Sequence, residues 1–164
     1  MNKAMNVTPK VEQIDTGVEG AKAVADGLVD ALADTYHLLY KTHAYHWNVE
    51  GPLFYAIHNL TEAQYGDLFA ATDEIAERAR ALGRLAPMKL AEILEKSDVK
   101  DAAAKVGAVD MVEDLASDHE AVAKRMHGLI KTAEDENDPV TADLITARSA
   151  FHEKAAWMLR AIAK

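Results

Sequence analysis

The chain has 164 residues, which suits one domain, and 49% of them are apolar, enough for a packed core. Aromatics make up only 6% and there are four prolines, while Ala, Leu, Glu, Asp and Lys dominate, so long helices and an all-α fold are expected rather than a sheet. A net charge of −9 disfavours a phosphate-binding surface and favours cations as partners, and the lack of cysteine excludes disulfides and thiolate metal sites.

Residues 1–16 read as a flexible N-terminal arm with a turn at Thr8-Pro9. Lys3 and Lys10 are balanced there by Glu12 and Asp15, and no apolar run or small-residue cleavage site follows, so a secretion signal is not expected and a cytoplasmic protein is. No apolar stretch reaches the ~18 residues that would span a bilayer.

From Gly17 the residues Val18, Val24, Leu28, Leu32, Leu38 and Leu39 recur at helical spacing and predict a first helix to about Val49, stopped by Gly51-Pro52. Ile57, Leu60, Gln64, Leu68, Ala71, Ile75, Ala79 and Leu82 predict a second, antiparallel helix ending at Gly83. The stretch to Val106 holds Pro87 and a short apolar patch (Met88, Leu90, Ile93, Leu94), which suggests a connection with one short helix. Val109 to Ile130 predict a third long helix that ends in the acidic turn AEDENDP, and Leu144, Ile145, Phe151, Trp157, Met158 and Ile162 a fourth after Pro139. Four long helices with a mid-chain crossover suggest a ferritin-like four-helix bundle over residues 17–164.

The stretch HAYHWNVEGPLFYAIHNL holds three of the seven histidines. With His58 at zero on a helical wheel, Glu62, Asp73 and Glu77 fall within about 100° of it, on one face. Each alone reads as a solvated acid, and Glu74 with Arg78 and Glu77 with Arg80 read as surface ion pairs. Asp73 and Glu77, however, are like charges one turn apart, which favours a cation between them. His58 and Asp73 lie fifteen residues apart, or ~22 Å of helix, so one chain cannot close one metal site with both. An antiparallel copy of the same helix, crossing near Asp67 with Gly66 allowing close approach, sets His58 beside Glu77 and Glu62 beside Asp73 of the second copy, giving a two-fold dimer with two identical shared sites. The Gly51-Pro52 turn brings His46 back towards His58. Imidazole with carboxylate suits Fe(II), Mn(II) or Zn(II), and carboxylates also stabilise Fe(III).

The segments HWNVEGPLFYAIH, EAQYGDL and DEIAERARALG resemble the signature of the Dps family, ferritin-like mini-ferritins named for DNA protection in starved cells. His46, His58, Glu62, Asp73 and Glu77 match that family's ferroxidase motif, H-x11-H-x3-D/E-x10-D-x3-E, and TADL at Thr141 to Leu144 and Trp157 are also similar. The resemblance implies a hollow homo-oligomer, a dodecamer, whose dimer interfaces bind iron, two metals at a site, oxidise Fe(II) preferentially with hydrogen peroxide and pass Fe(III) to a stored mineral; zinc or manganese could substitute. Trp47 is similar to a family tryptophan near the site that takes up stray oxidising equivalents; alternatively it packs the dimer interface. Asp138 and Asp143 are candidates to line an acidic entry pore for cations, while Glu134 to Asp138 reads equally as a solvated acidic turn.

His43 is either an accessory to His46 or a packing residue, Tyr65 a hydrogen-bonding neighbour of the site or an interface tyrosine. His37, His119, His127 and His152 have no acidic partner at a persuasive spacing and are assigned to helix surfaces or packing. The leading expectation is thus a peroxide-using ferroxidase and iron store. The alternative is a DNA-compacting structural protein, against which the charge-balanced arm and the acidic chain argue. A third reading is a bundle holding a structural Zn(II) or only ion pairs.

Overall fold

The computed structural model describes residues 7–164. Five helices follow in order: α1 Ala21–Asn48, α2 Phe54–Ala81, α3 Leu90–Lys96, α4 Ala108–Asp135 and α5 Pro139–Ile162. The four long helices form the bundle and α3 sits in the crossover, packed on α1, so the expected all-α ferritin-like architecture is what the chain adopts. The first helix begins four residues later than the periodicity suggests, because Gly17 takes a φ of +71° and the chain enters the helix only at Ala21. Of the expected arm, residues 1–6 lie outside the described residues. Residues 7–16 have no regular structure, and the Ile14 N–H reaches the Ala81 carbonyl at the end of α2 (3.4 Å).

Each long helix buries a stripe stepping by three and four residues. On α2 it is Ile57, Thr61, Gln64, Leu68, Ala71, Ile75 and Ala79; on α4 it is Val112, Leu115, His119, Val122, Met126, Leu129 and Ala133. Fully burying each Leu, Ile, Val or Met in these stripes stabilises the fold by ~1.5–3 kcal/mol relative to leaving it in water. The helices stop where side-chain-bearing residues would be strained: Gly51 (φ +98°) ahead of Pro52, and Gly83 (φ +85°), whose N–H bonds the Arg80 carbonyl.

Several charged side chains inside the bundle are paired across helices. Lys41 on α1 is 1% exposed and held by Asp114 (2.8 Å) and Asp118 (2.6 Å) on α4, while the Tyr45 hydroxyl donates to Asp114 (2.6 Å). The buried Asp34 carboxylate meets Arg125 of α4 (2.6 Å) and accepts from Ser97 and the Asp98 N–H, which ties the crossover to the bundle. Two assignments from the sequence are corrected here. His37 has an acidic partner, Asp101 (3.0 Å), and also meets Ser97 (3.2 Å); His127 meets Glu153 across α4 and α5 (3.1 Å). Both partners come from another part of the chain, so local spacing could not reveal them. His119 and His152 are packing residues, as expected, and both are fully buried.

The acidic turn is likewise structural at one of its two aspartates. Asp138 is 1% exposed and caps α5, accepting from the Thr141 N–H (3.0 Å) and hydroxyl (2.6 Å), and it pairs with Arg78 of α2 (2.7 Å). Burial pushes its pKa up, but the hydrogen bonds from Arg78 and Thr141 outweigh this and hold the carboxyl below its ordinary value. Its oxygens are therefore committed inside the subunit, which removes Asp138 as a pore-lining group, while Asp143 remains exposed. Asp138→Ala loses the cap and strands the Arg78 guanidinium, and should lower stability by about 3 kcal/mol, read as a lower urea midpoint at unchanged slope. Asp143→Ala should stay within ~0.5 kcal/mol of the parent.

Candidate metal centre

His46 sits in the last turn of α1 and His58 in the second turn of α2, so the short Gly51-Pro52 connection folds one ring onto the other. Their centroids are 3.8 Å apart and nearly parallel, at 18°. The ring nitrogens show which atoms remain available. His46 Nδ1 lies 2.9 Å from the His58 carbonyl oxygen, and His58 Nδ1 lies 3.1 Å from the His46 carbonyl oxygen. A carbonyl can only accept, so both Nδ1 atoms carry a proton, and in a neutral ring so held the lone pair is on Nε2, the form in which imidazole binds a metal.

Thr61, fully buried, strengthens this arrangement. Its hydroxyl donates to the Ile57 carbonyl (2.7 Å) and its oxygen lies 3.3 Å from His46 Nδ1. Sequence reading missed this residue; its signal was a polar side chain on the buried stripe of α2, one turn beyond Ile57 and three residues after His58.

Aromatic rings continue the stack outwards. His43 is half-buried between Trp47 (3.9 Å) and Tyr65 (4.2 Å), and Tyr65 meets His46 edge-on (5.1 Å). Burial, and secondarily His46, depress the His43 pKa, which favours the neutral ring. Trp47 is 59% exposed and so is no part of the subunit's own core.

The carboxylates are placed differently. Glu62, Asp73 and Glu77 are all exposed on α2, with Asp73 and Glu77 about four and five turns beyond His58. The two surface ion pairs suggested for them are not formed: Arg78 turns to Asp138 and Thr141 on α5, and Arg80 reaches the Lys10 carbonyl (3.5 Å). The α2 carboxylate that is paired is Asp67, with Arg148 (2.6 Å). Among the described residues, Glu62, Asp73 and Glu77 thus have no salt-bridge partner on the face that carries His58. Among the described residues no three His, Asp or Glu side chains converge on one point. The chain brings His46 and His58 together and leaves Asp73 and Glu77 remote from them.

The same face is apolar between these groups. Tyr36, Tyr40, Phe69 and Met88 are exposed, and an open groove of about 840 Å³ runs between α1, α2 and α3 past Asp73 and Met88. A Cβ added to Gly66 would meet nothing within 4 Å, so this glycine opens onto empty space rather than onto its own subunit.

Fold and sequence together define the class. The Ferritin family, described as a ferritin-like domain, matches residues 25–164, and the chain is a ferritin-like protein. Within that class it belongs to the Dps family. It is 36% identical over 140 residues to DNA protection during starvation protein 2 of Bacillus anthracis, covering 85% of this chain and 96% of that one. It is 39% identical over 144 residues to a low temperature-induced protein of Nostoc sp., covering 87% and 80% of the two chains. The crystal structure of Dps from Staphylococcus aureus superposes with a TM-score of 0.85 at 31% identity, over 87% of this chain and 96% of that chain.

The proton assignment at the paired histidines is open to a direct check. Histidine-selective 15N spectra at pH 8 should show His46 and His58 as Nδ1–H forms, and Thr61→Val should disturb His46 but not His58.

Proposed function

We propose that the protein is a mini-ferritin that oxidises Fe(II), preferentially with hydrogen peroxide, at sites shared between two subunits, and stores the Fe(III) in a hollow cage. The observation that carries this is the division of one ligand set along one helix face. The Nε2 atoms of His46 and His58 face outward at one end, and Asp73 and Glu77, without a salt-bridge partner among the described residues, lie ~22 and ~28 Å further along α2. A second copy crossing α2 antiparallel near Gly66 and Asp67 supplies the missing half to each end, and the exposed apolar side chains of α1 and α2 become the contact.

In that arrangement His46, His58 and Glu62 of one subunit face Asp73 and Glu77 of its partner. The imidazoles hold Fe(II), and the carboxylates stabilise Fe(III) as it forms. Two Fe(II) each give one electron to one peroxide, which takes up two protons and leaves as water, so no hydroxyl radical is released. Trp47, linked through His43 and Tyr65 to His46, takes up oxidising equivalents that escape this pairing. Iron is the substrate and cargo; Zn(II) or Mn(II) fits the same donors.

Residues 17–164 form the functional bundle, and the assembly is a cytoplasmic homo-oligomer, a dodecamer built from two-fold dimers. Among the described residues no helix is long and apolar enough to cross a membrane. The relative's name favours a second reading, DNA protection by direct compaction. The charge of −9 per chain opposes it, because a cage of such chains repels duplex DNA at low salt.

Asp73→Ala and Glu77→Ala should abolish peroxide-dependent Fe(II) oxidation, followed as Fe(III) absorbance, while the oligomer stays assembled. Retained oxidation in both variants would sink the proposed site. Gly66→Arg tests the partner subunit separately. It should leave helicity unchanged or slightly raised, since arginine is the better helix former by ~0.8 kcal/mol, yet yield monomers in light scattering and no oxidation.

A further inference from the structure

His119 on α4 and His152 on α5 occupy facing positions on the buried stripes, each 0% exposed, with Nδ1 atoms 2.9 Å apart. A nitrogen-to-nitrogen hydrogen bond needs one proton and one lone pair, so one ring carries its proton on Nδ1 and the other on Nε2. Both Nε2 atoms are buried without a hydrogen-bond partner. Polar side chains at the same level of the bundle, Thr42 on α1 and Gln64 on α2, are equally buried and also present unpartnered atoms.

We infer that the His119–His152 pair is an acid-sensitive latch between α4 and α5, closed while both rings are neutral and opened by the uptake of two protons. A first proton can enter only at the orphan Nε2 of the Nδ1–H ring, placing a charge in the core. A second must take the lone pair that holds the rings together, leaving two N–H groups facing each other.

The surroundings oppose both steps. The charged group acting on both rings is Arg148 of α5, and its counter-ion Asp67 of α2 lies on the guanidinium rather than on the imidazoles. The neighbouring acids are engaged elsewhere: Asp118 of α4 with Lys41 of α1, Glu120 of α4 with Arg160, and Glu153 of α5 with His127. Burial first and Arg148 second hold the His119 pKa down to about 3, and burial, His119 and Arg148 hold His152 well below its usual value.

The sign follows from linkage. Once α4 and α5 separate, each ring regains an ordinary pKa of ~6.5, so between that pH and the depressed native values the open state binds two more protons than the closed one. Opening is therefore favoured as pH falls, by up to about 100-fold per pH unit. This device is independent of the metal centre on α1 and α2.

Amide exchange in α4 and α5 of the assembled protein, corrected for its intrinsic pH dependence, should show this steep rise in opening between pH 6 and 5. The non-titrating His119→Gln/His152→Gln variant should lose it. Equal slopes in the two proteins, or a flat wild type, would overturn the latch. Should the double variant not assemble at pH 7.5, histidine-selective 13C spectra of the wild type decide the matter. Two buried rings whose native signals stay unshifted from pH 8 to 5, alongside the steep exchange slope, support it; native-state titration near 6.5 overturns it.

Discussion

The exchange of hydrogen bonds between His46 and His58 is the constraint from which the rest of the site follows. Each imidazole gives its Nδ1–H to the other residue's main-chain carbonyl, so the end of α1 and the start of α2 are joined by the same atoms that fix both tautomers. Packing and ligand chemistry are not separable here. A ring flipped to present Nδ1 outward would keep the 3.8 Å stack but forfeit its carbonyl partner. Thr61 adds a further acceptor from within the core, which makes the orientation of His46 a property of the bundle interior and not of a surface loop.

The carboxylates follow the opposite rule. Asp34 and Asp138 are buried and Asp118 half-buried, and they are matched with Arg125, Arg78 and Lys41 respectively. Glu62, Asp73 and Glu77 stay exposed and unmatched on the face that also shows Phe69 and opens at Gly66. Where the chain needs structural charge it supplies both signs. Where it supplies one sign, on a helix face with imidazoles and apolar neighbours, the divalent cation proposed to sit between two copies would supply the compensating charge.

Much of this was legible in the sequence because the signals are local. The three-four spacing of Ile57 to Ala79, the Gly51-Pro52 break and the helix-ending Gly83 sit within a turn or two of the features they determine. The shared face of His58, Glu62, Asp73 and Glu77 needed only helix geometry. What could not be read were pairings across the chain. Arg78 looks like a partner for Glu74 until α5 brings Asp138 beside it, and His37 looks idle until the crossover delivers Ser97 and Asp101. Lys41 gives no sign in the sequence of being among the most buried side chains, because the two aspartates that permit it are more than seventy residues away. Contacts of high sequence separation carry no periodicity, and propensity is silent about them.

The proposed division of the ligand set, with His46 of α1 and His58 and Glu62 of α2 at one end and Asp73 and Glu77 of α2 at the other, has a genetic consequence. In the two-fold arrangement, a chain lacking the histidines and a chain lacking the distal acids are each inactive alone. When such chains pair, one interface position receives sound histidines from one parent and sound acids from the other, while its symmetry mate receives neither. Two recessive defects on one helix would then complement each other between subunits, and half of the positions in every mixed dimer would recover.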